Sequence, residues 1–243
     1  MVFGLFSKEK ALQRTIEKAT NKLSQQVDRW GALEKLREDG TEEALYGLCK
    51  RFSITSMKGV EDEQEKNWVV DTLVAVGPAA LVPLRRYMKQ ANELSFALRV
   101  LERIASHEKI LEVADELFAN EQPGYVRMPD KRIDLLRWLS EWKPGTDDEI
   151  ISRLTPYVAD FDENSRFAAI DGMSGRDPAK IGPPLIKALI NPDEESGRIK
   201  RQIVEVLEKS KVPLADKATA VASVLTGPLA EDFKVDGGLV KKR

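Results

Sequence analysis

The sequence predicts an all-α fold of repeated helix pairs, about thirteen helices in all, and three observations carry that reading. The first is internal repetition. A basic residue, an apolar residue and a short apolar block recur six times, with blocks closing at residues 36, 73, 101, 139, 173 and 207. The second is period: each block places apolar residues three and four apart and contains no proline, as a helix requires. The third is punctuation by capping residues, glycine and proline at the joints between segments.

The blocks are Arg29 to Leu36, Lys66 to Leu73, Ser95 to Leu101, Arg132 to Leu139, Arg166 to Met173 and Lys200 to Leu207. Their spacings of 37, 28, 38, 34 and 34 residues each hold about one supersecondary unit. The residue seven before each close is basic except at Leu94, so the register of the third repeat stays open. Between the blocks lie second helical stretches, at residues 41–52, 78–89, 108–119, 147–159, 178–190 and 214–225. Residues 8–23 carry Leu12, Ile16, Ala19 and Leu23 on one face and form the first helix of this second set.

The joints follow capping chemistry. Asp177 precedes Pro178 at a first helical position, Gly77-Pro78 ends one helix and starts the next, and Thr146 to Glu149 has capping-box spacing. Asn191-Pro192 is a stop. Pro83, Pro156, Pro183 and Pro184 fall inside helices of the second set and are expected to bend them.

The chain resembles the HEAT-repeat family in its short bacterial form. The resemblance rests on the lead-in Asp162-Glu163-Asn164-Ser165-Arg166 with the Ala-rich block behind it, and on Leu73 to Leu84 as a turn and following helix. It spans roughly residues 8–226. It implies a right-handed α-solenoid of about six HEAT-like helix pairs, with the block helices lining the concave side where a partner would sit. The expected organisation is an amphipathic capping helix over residues 1–24, the solenoid over 25–226 and a loose tail over 227–243, where Asp236-Gly237-Gly238 precedes Lys241-Lys242-Arg243.

Composition bounds the function. The 243 residues carry 38 Lys and Arg against 40 Asp and Glu, a formal net charge of −2, which argues against a protein that coats nucleic acid. One cysteine, Cys49, excludes an internal disulfide framework, and one histidine, His107, excludes a His-based metal cluster. The N-terminal apolar residues run straight into Ser7-Lys8-Glu9-Lys10, which is not the form of a signal peptide, and no run of about 20 apolar residues stands out. The expected setting is cytoplasmic.

Trp30 and Trp68 share the large apolar position filled by Phe96, Ile133, Phe167 and Ile199 and are expected in the core. Trp138 and Trp142 align with polar residues of other repeats and form one stripe that something must cover. Either the loop 119–130, with Tyr125 and Arg127, folds over them, or a partner does. The candidate partner-binding residues are therefore Trp138, Trp142, Arg137, Tyr125 and Arg127, and replacing both tryptophans is expected to weaken binding more than stability.

The acidic clusters at 61–63, 160–163 and 193–195 lie where negative charge suits a helix start, and no metal site is expected from them. The basic column Arg29, Lys66, Arg132, Arg166 and Lys200 is expected to pair with carboxylates of adjacent turns and repeats. The first helix carries Lys8, Lys10, Arg14, Lys18 and Lys22 behind Phe3, Leu5 and Phe6. It reads first as a solenoid cap, with membrane-surface contact through residues 2–22 as the rival.

No catalytic constellation is legible, and no cofactor or metal is expected. The leading functional expectation is a non-catalytic scaffold or adaptor that binds another protein along the concave face or loop edge. The alternative comes from the resemblance, since a HEAT-like branch of DNA glycosylases removes alkylated bases with concave Trp, Asp and Arg. Here Trp138, Arg137 and Asp134 have that composition. A HEAT-like lyase that attaches bilin pigments is a third implied activity, with no residue in its favour.

Overall fold

The computed structural model describes residues 2–243, with side chains from residue 8 onward. The side chains of Phe3, Leu5 and Phe6, invoked above for membrane contact, lie outside that range. The fold is all-α apart from one terminal hairpin. It divides into two compact units, Met1–Asn120 and Glu121–Arg243, a boundary inside the segment 25–226 that the sequence reading treats as one body.

The first unit holds α1 (Val2–Ala19), α2 (Gln26–Asp39), α3 (Glu42–Lys50), α4 (Gly59–Val76), α5 (Leu81–Gln90), α6 (Ser95–Ile104) and α7 (His107–Asn120). Alternate helices pack together: α1 on α3, α3 on α5 and α5 on α7, and likewise α2 on α4 and α4 on α6. Consecutive helices also meet, α1 with α2 and α2 with α3. The core is the apolar face of each, including Leu33 and Leu36 of α2, Leu45 and Leu48 of α3, Leu73 of α4, Leu84 of α5 and Leu101 of α6. Cys49 is among them, and burial pushes its thiol pKa up, so it is an inert apolar residue here.

The second unit holds α8 (Asp130–Glu141), α9 (Asp147–Leu154), α10 (Glu163–Asp171), α11 (Pro178–Leu189), α12 (Gly197–Lys209), α13 (Ala218–Val224) and α14 (Pro228–Asp232). The same alternation recurs, with α8 on α10, α10 on α12, α9 on α11 and α11 on α13. The capping expectations hold locally. Thr146 closes a capping box with Glu149, Asp162 accepts from the Ser165 N–H, and Asp177 accepts from the Ala179 N–H ahead of Pro178. Pro83 sits in the first turn of α5, where no donor is missed, and Pro156 lies in a 3-10 turn at Thr155–Ala159. Only α11 carries prolines inside, Pro183 and Pro184.

The tail is not loose. Residues 228–232 form α14, and β1 (Phe233–Asp236) pairs antiparallel with β2 (Leu239–Lys242). Gly237 and Gly238 take φ of 61° and 74°, the two positive values of a tight hairpin turn that glycine adopts without steric cost. Phe233 and Val240 are buried, β2 packs on α12, Arg201 bonds Asp232 at 2.7 Å, and the Leu214 N–H donates to Gly238 O at 2.9 Å.

Residues 59–90 pass as long and apolar enough to cross a membrane by length and composition only, and Glu61, Asp62, Glu63, Glu65 and Lys66 at their start keep them from being an unbroken apolar run. The run breaks at Gly77-Pro78 between α4 and α5, and α4 buries Asp62, Glu65 and Lys66 as well as Val69, Val70 and Leu73.

The first unit is knotted together by ions. Arg29 of α2 donates from Nε and Nη2 to Glu65 of α4 at 3.0 and 2.8 Å, and Arg51, just after α3, donates from Nε to Glu65 at 2.7 Å and from Nη2 to Asp62 at 2.7 Å. Lys66 closes the set on Asp62 at 2.8 Å. Arg29, Arg51, Asp62, Glu65 and Lys66 are all buried. Burial pushes the Asp62 pKa up, but hydrogen bonds from Lys66, Arg51 and the Ser56 N–H outweigh it and hold the carboxyl at about 2. Its unfolded value is about 3.9, so this stabilisation is complete above roughly pH 4 and lost as pH falls through 2. Urea midpoints measured from pH 5 to pH 2 are expected to fall along that window, and the slope is expected to shrink in Asp62→Asn.

Candidate partner-binding surface

The second unit presents an exposed aromatic pair, Tyr125 on the loop before α8 and Phe161 in the turn before α10, and buried polar contacts tie the two segments together. Arg132, the first-turn basic residue of α8, is buried and reaches across to Asp160 in the turn before α10, with Nη1 at 2.9 and 2.8 Å from the two carboxylate oxygens. The same guanidinium donates to Gln122 O at 2.6 Å and Gly124 O at 3.0 Å. Asp160 returns the contact by accepting from the Gly124 N–H at 3.3 Å. Gly124 has φ of 132°, a backbone state that favours glycine and lets both its N–H and C=O face this pair.

Tyr157 adds a third tie. Burial pushes its pKa up to about 12, so the hydroxyl stays protonated and donates to Glu121 O at 3.0 Å. Glu121 and Lys131 at the loop's base are shifted by burial too, the carboxyl upward and the amine downward.

At the tip, Tyr125 is 77% exposed and packs edge-on against Phe161, 68% exposed, with ring centroids 5.5 Å apart. Met128 and Arg127 are exposed on the same loop. An edge-to-face pair gains roughly 0.5–1.5 kcal/mol, far less than covering both rings would give. Most of both rings is therefore left open to solvent.

The five residues singled out from sequence divide between two places. Tyr125 and Arg127 are on this loop, against Phe161 in the turn before α10. Trp138 and Trp142 stack on each other at 6.2 Å and 25°, at the end of α8, with Arg137 exposed on the same helix. Trp142 is only 4% exposed. The turn after α8 covers it: a side chain at Gly145 would come within 2.8 Å of Trp142 Cε3 and of Ile150 Cδ1. Trp142 is buried and Trp138 half-buried, which corrects the expectation, drawn from the polar residues at the aligned positions, that both border solvent.

The expected core column also needs correcting. Ile133 and Ile199 are buried, but Trp30, Trp68, Phe96 and Phe167 are half-buried. The six do not share one register. Trp30, Ile133 and Phe167 lie six residues before their block's close, Trp68 and Phe96 five, and Ile199 eight, while each step turns a helix by about 100°. Trp30 and Trp68 pack at 5.4 Å, Arg37 lies over Trp68 at 5.5 Å, and Arg198 over Phe167 at 4.2 Å.

The basic column pairs as expected at Arg29 with Glu65, Lys66 with Asp62, Arg132 with Asp160 and Arg166 with Glu194 at 2.9 Å. Exposed arginines of the block helices are also engaged, Arg103 with Asp71 and Arg198 with Glu163. Such pairing suits a scaffold better than a phosphate track.

A second concavity in this unit, about 600 Å³, runs along α11 and the segment before α13, lined by Pro178, Gly182, Pro183, Ile186, Pro213 and Leu214. Its polar rim includes the Lys217–Asp216 pair at 2.8 Å. It suits an apolar segment. Among the described residues no three His, Cys, Asp or Glu side chains converge as metal ligands would.

Phe161 is the site residue that sequence reasoning missed. It stands inside the acidic run Asp160 to Glu163, which reads as helix-start charge, and it meets Tyr125 where Arg132 and the Gly124 N–H bond Asp160. No protein family, curated protein or solved structure matches the chain.

Proposed function

We propose that the chain is a non-catalytic scaffold whose units are short α-solenoids of HEAT-like helix pairs, and that it holds another protein through the Tyr125–Phe161 surface. The observation that carries this is the exposed, edge-packed ring pair on two segments tied together by the buried Arg132–Asp160 contact. The alternating contacts of the helices within each unit support the repeat reading. Aromatic residues and arginine dominate interface energetics, and Arg127, exposed on the same loop as Tyr125, suits a partner segment that brings a carboxylate with its apolar side chains.

The test is capture of partners by the tagged full chain from its native cells under nuclease, beside the double variant Tyr125→Ala/Phe161→Ala. Each ring, acting as a hot spot of about 2 kcal/mol, is worth roughly a 30-fold change in affinity. The expected result is a protein held at fixed stoichiometry by the parent and lost from the variant, with the two melting temperatures alike. Equal retention by both contradicts the proposal.

A further inference from the structure

A different surface, in the first unit, carries an independent inference. Four large apolar side chains there are 73–92% exposed: Leu23, Val27, Met57 and Val60. Leu23 stands in the connection from α1 to α2, Val27 starts α2, Met57 stands in the connection from α3 to α4, and Val60 is in the first turn of α4. Leu23 and Met57 line one depression of about 180 Å³ together with Lys22 and Lys58. Val27 lines a neighbouring one of about 280 Å³ with Arg14, Lys18 and Lys35.

The charge lining these two depressions is mostly of one sign. Arg14, Lys18, Lys22, Lys35 and Lys58 face Asp28 and Glu61, and each carboxylate is taken, by Lys18 and by Lys58, both at 2.9 Å. Arg14, Lys22 and Lys35 have no ion pair among the described residues. The buried ion network fixes both connections from beneath. Arg29 Nη1 donates to Ser24 O, Arg51 Nη1 donates to Ile54 O at 2.6 Å, and Asp62 accepts from the Ser56 N–H at 2.8 Å.

We propose that this edge docks on an anionic lipid surface, with Leu23, Val27, Met57 and Val60 entering the headgroup boundary and the surplus cations meeting lipid phosphates and carboxylates. Cores of protein interfaces are depleted in lysine, whereas apolar tips ringed by Lys and Arg match the interfacial mode of lipid binding. Loop tips held rigid avoid the ordering cost that weakens flexible anchors. The inference does not depend on the Tyr125–Phe161 surface.

The experiment is flotation of the full chain with vesicles of phosphatidylcholine alone and of equal parts phosphatidylcholine and phosphatidylserine. The expected result is flotation with the serine-containing vesicles only, released by high salt. Leu23→Ser/Met57→Ser is expected to reduce the floated fraction about tenfold, and Lys22→Glu/Lys35→Glu to do the same by removing the charge attraction. All four positions are solvent-facing, so melting temperatures are expected to match the parent's, and Val27→Ser/Val60→Ser repeats the apolar test from a second pair. No flotation with anionic vesicles overturns the proposal. So does equal binding to phosphatidylcholine alone, or flotation of both apolar double variants at the parent's level.

Discussion

Glu65→Ala is expected to cost the first unit about 3–5 kcal/mol, a large part of the stability of a typical domain. Glu65 is fully buried and accepts three hydrogen bonds closer than 3.1 Å, two from Arg29 and one from Arg51. Its removal leaves two guanidinium groups in the interior with Asp62 as the nearest carboxylate, and Asp62 already serves Lys66. The loss arises from uncompensated charge and not from missing attraction. The triple variant Arg29→Met/Arg51→Met/Glu65→Leu, which leaves the Asp62–Lys66 pair neutral, is therefore expected to lose less than Glu65→Ala alone. Urea denaturation followed by circular dichroism measures both. A loss below about 1 kcal/mol for Glu65→Ala is the size of a surface pair and contradicts this account.

Arg132→Ala is expected to be the second large change, again about 3–5 kcal/mol, because it strands Asp160 in the second unit. It also has a local consequence that Glu65→Ala does not share. The Gln122 and Gly124 carbonyls lose their donor, and the loop that carries Tyr125 loses its main tie. Amide hydrogen exchange over residues 121–129 is expected to accelerate well beyond the change within α8. In Tyr125→Ala/Phe161→Ala the same amides are expected to keep the parent's exchange rates, since the tie from Arg132 remains. Loss of partner capture in both variants, with loop loosening in only one, separates what the rings contribute from what the rigid loop contributes.

The helical framework is legible in the sequence because its signals are local. The six apolar blocks, the Thr146 capping box and the Asp177-Pro178 start each depend on residues within a turn or two, and all appear where expected. What escapes is set by contacts distant in sequence. Arg51 has no place in the repeat pattern, yet it joins Glu65 and Asp62 and completes the ion network. The C-terminal hairpin has strands of four residues with lysines on them, too short and polar to stand out. Its order comes from α12 and from Phe233 and Val240 beneath.

The candidate surface was legible by half for the same reason. Tyr125 and Arg127 stand out as aromatic and cationic residues in a proline-bounded loop, and both are exposed. Phe161 is joined to them by a pairing 28 residues apart, Arg132 with Asp160. Trp142 looks like an interface residue because its aligned positions are polar, but the absence of a side chain at Gly145 lets the following turn close over it. Residue type alone does not separate these outcomes.

The most direct test of the scaffold account is hydrogen exchange on the complex of the full chain with a partner captured at fixed stoichiometry, compared with the free chain. The account predicts new protection concentrated at residues 121–129 and 160–163, where Tyr125 and Phe161 meet. Unchanged exchange in those two segments, with protection elsewhere in the chain, would contradict it.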